Sequence, residues 1–170
     1  DRELGRTLVF NGCIYNYREL RQDLEGRGYR FTSSGDTEVV LKAFHAWGQD
    51  AWPRMHGMFA VVVHERDTGR VTLARDRFGI KPLYLAQTRG GLRFGSSLPA
   101  LICDPEVDRS IDLMALDHYL SWHAVVPPPL TLLKGVRKLP PGSSLSIDGE
   151  GEGTLHTWWQ LSVQADPELA

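Results

Sequence analysis

The sequence predicts an α+β fold of four layers, two stacked antiparallel sheets between helices. Three observations lead there. Two amphipathic helical patterns near the N-terminus each need a surface to cover. The segment Met58 to Val63 is apolar at every position, as suits a strand buried on both faces. Close-spaced strand patterns with turn chemistry between them follow it. A strand buried on both faces beneath a helical layer needs a second layer on its other side, and a second sheet supplies one.

Taken in order, Thr7 to Phe10 reads as the first strand and ends at Asn11-Gly12. Ile14, Tyr17, Leu20 and Leu24 recur at helical spacing, Asn16 and Glu19 resemble a capping box, and Gly26 and Gly28 supply stops. Asp36 opens a second helix that carries Val40, Ala43, Phe44 and Trp47, with Gly48 as terminator. After Met58 to Val63, the turn Asp67-Thr68-Gly69 leads to a returning strand at Val71 to Ala74. Further strands are predicted at Leu83 to Ala86 and Leu92 to Phe94, so that a meander follows the two helices. Leu98 to Ile102 reads as a short helix. Asp112 caps another, which carries Leu113, Leu116 and Leu120. Pro127 to Pro129 and Pro140-Pro141-Gly142 interrupt regular structure. Ser144 to Ile147 and Thr154 to Trp159 pair across Asp148-Gly149, and the polar tail from Val163 reads as the start of a linker.

A chain of 170 residues, 42% hydrophobic and 24% charged, has room for one domain with a sizeable core. Its 19 Lys and Arg against 21 Asp and Glu imply no basic face, which argues against nucleic acid. No apolar run approaches the roughly 18 residues of a membrane span. Cys13 and Cys103 form no paired motif, so neither a disulfide scaffold nor a zinc knuckle is expected. The composition reads as a soluble, cytosolic domain. The first residue is Asp1 and a strand follows almost at once, which suggests a piece of a longer polypeptide.

Metal and nucleotide signals are weak. His118 and His123 lie five apart, the wrong spacing to face one zinc along a helix, and no glycine-rich phosphate loop is present. Asn11-Gly12 carries more, since an Asn amide and a Gly N–H at a strand end can converge on a developing oxyanion. On the dipeptide alone a hairpin turn is the stronger reading, but a helix signal follows rather than a partner strand. Asp36 reads either as a helix cap or as a carboxylate for a substrate ammonium group. The run from Arg75 to Tyr84 reads either as a site segment or as a charged connection turning at Gly79 and tied by an Arg–Asp ion pair.

Six segments in register resemble one family. They are Leu8 to Asn16, Ser34 to Val39, Met55 to Ala60, Arg75 to Tyr84, Phe94-Gly95-Ser96-Ser97 and Val136 to Gly142. Together they resemble the glutaminase domain of glutamine-hydrolysing asparagine synthetases, over nearly the whole chain to about Trp159. The resemblance implies a class II glutamine amidotransferase with the N-terminal-nucleophile αββα sandwich. In that family an N-terminal Cys attacks the glutamine side-chain amide with its own α-amine as base, and a thioester is then hydrolysed to glutamate. Ammonia passes to a synthetase domain that uses ATP and Mg²⁺ to amidate aspartate. By motif, Asn11 and Gly12 would form the oxyanion hole and Asp36 would hold the substrate α-amino group. Cys13 stands where the family has Glu, beside that same group.

The resemblance implies that residues 1–160 are the amidotransferase domain without its N-terminal segment, and that 161–170 begin a linker to the synthetase domain. The nucleophilic Cys is absent from the 170 residues, and Cys13 does not replace it, having no free α-amine. No cofactor is expected on this chain; its partners would be glutamine, the synthetase domain and, through unpaired strand edges, a second copy or a complementary segment. Two alternatives remain. His123 to Pro127 is similar to relatives that amidate N-acetylglutaminylglutamine, and a degenerate domain could instead be a non-catalytic module that binds glutamine or a partner.

Overall fold

The computed structural model describes residues 1–163; the predicted linker, 161–170, lies outside them from 164 onward. Strand β1 (Arg6–Ile14) comes first, longer at both ends than its apolar run because β2 (Gly57–Glu65) pairs with it antiparallel throughout. Helices α1 (Tyr17–Gly26), α2 (Asp36–Trp47) and α3 (Ala51–Arg54), the last preceded by a 3-10 turn at Gly48–Asp50, lie between them in sequence. Then come β3 (Val71–Arg75), β4 (Tyr84–Thr88), β5 (Gly91–Gly95), α4 (Leu98–Ile102) and α5 (Leu113–Ser121). Strands β6 (Arg137–Lys138), β7 (Ser143–Ile147) and β8 (Gly153–Thr157) complete the described chain.

Five strands form one sheet in the order β1-β2-β3-β7-β8, and three form another in the order β5-β4-β6. Strand β2 shows why its sequence is apolar without alternation. Phe59, Val61 and Val63 point into a core with Leu24, Val40 and Trp52 beneath the helices. Ala60 and Val62 point the other way, into the core between the sheets with Leu73, Leu83 and Leu139. A third cluster, Ala86, Leu101, Val107 and Val136, packs α4 and its loops on the outer face of the smaller sheet. These are the four predicted layers.

Several local expectations are corrected. The strands after β3 do not continue one meander: the connection Arg75 to Leu83 carries the chain from the larger sheet to the smaller. Asn16 precedes α1 but makes no capping bond, because its side chain is engaged elsewhere. Asp112 does cap α5, accepting from Met114 N at 3.0 Å and Ala115 N at 3.1 Å. The predicted apolar stripe of that helix is largely uncovered, with Leu113 and Leu120 both more than 70% exposed; Ala115 anchors it instead. Helix α3 had no periodic signal, being one turn long, yet it buries Trp52 completely.

Candidate functional site

Asn11 and Gly12 lie inside β1 rather than beyond its end, paired with Ala60 and Phe59. The hairpin reading is therefore excluded. Among the described residues β1 is an edge strand, so every second N–H points away from its neighbour β2. The phase follows from its ends. Arg66 N donates to Gly5 O and Tyr15 N to His56 O, both in register with the β1–β2 ladder. Arg6 N and Ile14 N turn outward, to Asp1 O and to the Asp36 carboxylate. Gly12 shares the parity of Arg6 and Ile14, and its N–H faces the open edge.

Asn11 has the opposite parity, and its side chain stands on the face turned towards the smaller sheet. There it borders a cavity of about 260 Å³ with Val9, Ala60, Val62, Leu83 and Phe94. The smaller sheet does not extend over β1, whose residues on this face (Thr7, Val9, Asn11 and Cys13) are all exposed. Gly12 has no side chain for a reason within the fold. A Cβ there would clash with the Met58 carbonyl oxygen and sit 2.8 Å from Phe59 Cα. Gly57 is under the same constraint from the Cys13 carbonyl, so the two strands approach unusually closely at this end.

Asp36 reaches the same edge from the first turn of α2, and its Oδ2 accepts Ile14 N at 3.0 Å. It makes no side-chain cap. Ionised, it also lies at the positive end of the helix dipole. Gly12 and Ile14 are two residues apart, so the outward N–H and the carboxylate lie about 7 Å apart along one edge. Cys13, between them in sequence, has an exposed thiol on the Asn11 face. All four residues singled out from the sequence thus gather at one end of β1.

Two supports flank this end. Asn16 donates from Nδ2 to Arg54 O and accepts at Oδ1 from His56 N, stapling the exit of β1 to the entry of β2. Glu38, one turn into α2, accepts from the amides of Thr32 and Ser33, from the Ser33 hydroxyl and from Lys42. Burial opposes ionisation of Glu38, but these donors together outweigh it and hold its pKa near 2.

Arg75 and Asp76 are buried but do not pair with each other, contrary to the ion-pair expectation. Arg75 donates to the carbonyls of Gly79, Lys81 and Leu139. Asp76 accepts from the amides of Phe59, Phe78, Ile80 and Lys81 at 2.9–3.2 Å, an array of donors that stabilises a buried carboxylate. Arg77 donates to Pro53 O and Met55 O. Asp76 fastens the inter-sheet connection to β2 at Phe59, directly across from Gly12, and Arg77 fastens it to the chain just before β2, while Arg75 shapes the connection itself. Among the described residues no group of three or more His, Cys, Asp or Glu could hold a metal ion, and no helix is long and apolar enough to cross a membrane.

Helices over two stacked antiparallel sheets, with an open strand edge at the mouth between them, define the N-terminal-nucleophile type of amidotransferase sandwich. The glutamine amidotransferase domain family matches residues 1–159, and the chain belongs to that family. It is 39% identical over 157 residues to asparagine synthetase (glutamine-hydrolyzing) 1 of Bacillus subtilis (strain 168), covering 92% of this chain and 24% of that protein. It is 43% identical over 140 residues to a putative asparagine synthetase (glutamine-hydrolyzing) of Mycobacterium tuberculosis (strain ATCC 25618 / H37Rv), covering 80% and 21% respectively. The chain therefore spans about a quarter of the length of these relatives. Among solved structures, the glutamine phosphoribosylpyrophosphate amidotransferase of B. subtilis superposes with a TM-score of 0.62 at 20% identity, over 92% of this chain and 30% of that one. A class II glutamine aminotransferase domain protein of Silicibacter pomeroyi gives 0.53 at 16% identity, over 91% and 68%. These two likenesses bear on the fold alone.

Proposed function

We propose that residues 1–160 form the glutamine-binding and oxyanion-stabilising part of a glutaminase site, in a protein that transfers the released ammonia as asparagine synthetases do. The observation that carries this reading is the β1 edge, where the Gly12 N–H, unpartnered among the described residues, and the Asp36 carboxylate lie about 7 Å apart. An extended amino acid with a side-chain amide fits that span, its α-ammonium on Asp36 and its amide carbonyl by Gly12 and the Asn11 side chain. A thiolate supplied by sequence outside these residues would attack the amide carbon. The carbonyl electrons move onto oxygen, where Gly12 N–H and Asn11 Nδ2 stabilise the charge; the base that took the thiol proton returns it to the amide nitrogen, and collapse expels ammonia and leaves a thioester. Water then releases glutamate and restores the thiol.

Cys13 replaces a charged contact with a neutral one, which leaves Asp36 as the principal partner of the ammonium group. ATP and Mg²⁺ would serve a synthetase domain beyond residues 161–170, and no residue of this chain is assigned to either. Aspartate is the acceptor favoured by the likeness to asparagine synthetases. Two free cysteines suit a reducing, cytoplasmic location. The 170 residues alone are expected to release no glutamate from glutamine, since they lack the nucleophile. In the protein expressed with its natural flanking sequence, Asn11→Ala should lower kcat for glutamate release by about 10²–10³. Full turnover in that variant, or turnover by the isolated 170 residues above that of their Asn11→Ala form, overturns the reading.

A further inference from the structure

Trp158 leaves the sheet directly after β8, and its amide, like that of Trp159, donates to Gly142 O. Its indole stacks on Phe59, with ring centroids 6.2 Å apart and planes 11° from parallel. Phe59 in turn faces Trp52 at 6.4 Å, and Trp52 stacks on Phe44 at 5.2 Å. The Arg77 guanidinium lies 5.6 Å from the centre of the Trp158 ring while its nitrogens hold Pro53 O and Met55 O. An aromatic column thus crosses the helix-side face of the larger sheet from Phe44 to Trp158, and passes through Phe59, the register partner of Gly12.

That position matters because, among the described residues, β1 has a neighbouring strand on one side only. The direction of the outward Gly12 N–H is set by β2, and Phe59 is only the third residue of β2, where a strand frays most easily. Its main chain is gripped by Asp76, and its ring is held between Trp52 and Trp158. The Trp158 Nε1 is buried and has no hydrogen-bond partner among the described residues, so the indole serves through its faces rather than its polar atom. We propose that Trp158, held by Arg77, is a positioning residue for glutamine hydrolysis: it keeps Phe59, and through it the Gly12 N–H, aimed at the oxyanion. The proposal rests on the glutaminase reading above.

The test measures glutamate release by the protein expressed with its natural flanking sequence. Trp158→Leu should lower kcat about tenfold or more at unchanged KM for glutamine, the signature of a weakened interaction that forms only in the transition state. Trp158→Phe, which keeps a stacking ring, should restore kcat to within about twofold. Leu24→Ala destabilises the same core from α1 and should leave kcat unchanged in the folded protein. Arg77→Gln should lower kcat in the same sense by a smaller factor, and stands in for Trp158→Leu if that variant does not fold. Unchanged kcat in the folded variants, a change confined to KM, or an equal loss in Leu24→Ala overturns the assignment. Asn11→Ala separates the two claims: full turnover there removes the glutaminase reading itself, whereas its loss beside an unaffected Trp158→Leu removes only this inference.

Discussion

At Gly12 any Cβ would meet the main chain of β2, which no rotamer change can relieve. Gly12→Ala should therefore cost about 1–3 kcal/mol of stability in urea unfolding, whether or not glutamine is present. The dipeptide Asn11-Gly12 was legible as a candidate because of its residue types, but the reason for the glycine was not. Its residue type suggested an N–H aimed at an oxyanion, while the need for glycine comes from the carbonyl of Met58 on the neighbouring strand. Glu38 illustrates a residue with no functional signal in sequence that secures the loop before Asp36. Its pKa near 2 lies below the ordinary 4.5, so the unfolded chain takes up its proton first. The stability it contributes is complete above about pH 4.5 and is lost as pH falls towards 2. Glu38→Gln should flatten that part of an acid unfolding curve followed by circular dichroism.

Among the elements, those with a long period or a strong cap were readable, and those made by partners were not. Helix α2 and β2 needed only their own residues; α5 announced its start through Asp112. The extension of β1 through Ile14 was not readable, because Asn11, Gly12 and Cys13 have weak strand preference and are held by pairing with β2. Strand β6 has two residues, too short for any period. Helix α5 shows the converse, an apolar stripe that the described chain leaves in solvent. Leu120→Lys should change stability by no more than about 0.5 kcal/mol, against about 2–5 kcal/mol for Leu24→Ala in the buried core. The inter-sheet connection depends on Asp76 rather than on apolar contacts. Asp76→Asn replaces an acceptor-only carboxylate with one oxygen and a donor facing four amides. A loss of about 3 kcal/mol is expected in denaturant unfolding.

For the whole molecule, the four layers followed from one inference, that a strand apolar on both faces needs cover on both. The unequal width of the sheets was not foreseeable, since it depends on which strands cross from one sheet to the other. That inequality leaves β1 and β5 as open edges beside an apolar cavity, with Val9 55% exposed. Unpaired edges of this kind recruit further strands. The 170 residues alone should associate in sedimentation experiments as concentration rises, and Val9→Lys should weaken that association; a monomer at all concentrations would show the edges to be self-limiting. The connection between the sheets has a different consequence. In residues 78 to 81, Arg75 and Asp76 grip main-chain atoms alone, while the Ile80 side chain is more than half exposed and the Phe78 ring, also more than half exposed, meets Trp159 edge-on at 5.0 Å. The backbone path there is insulated from the identity of its exposed tip, so Ile80 can be exchanged to suit a new neighbour while the loop keeps its shape.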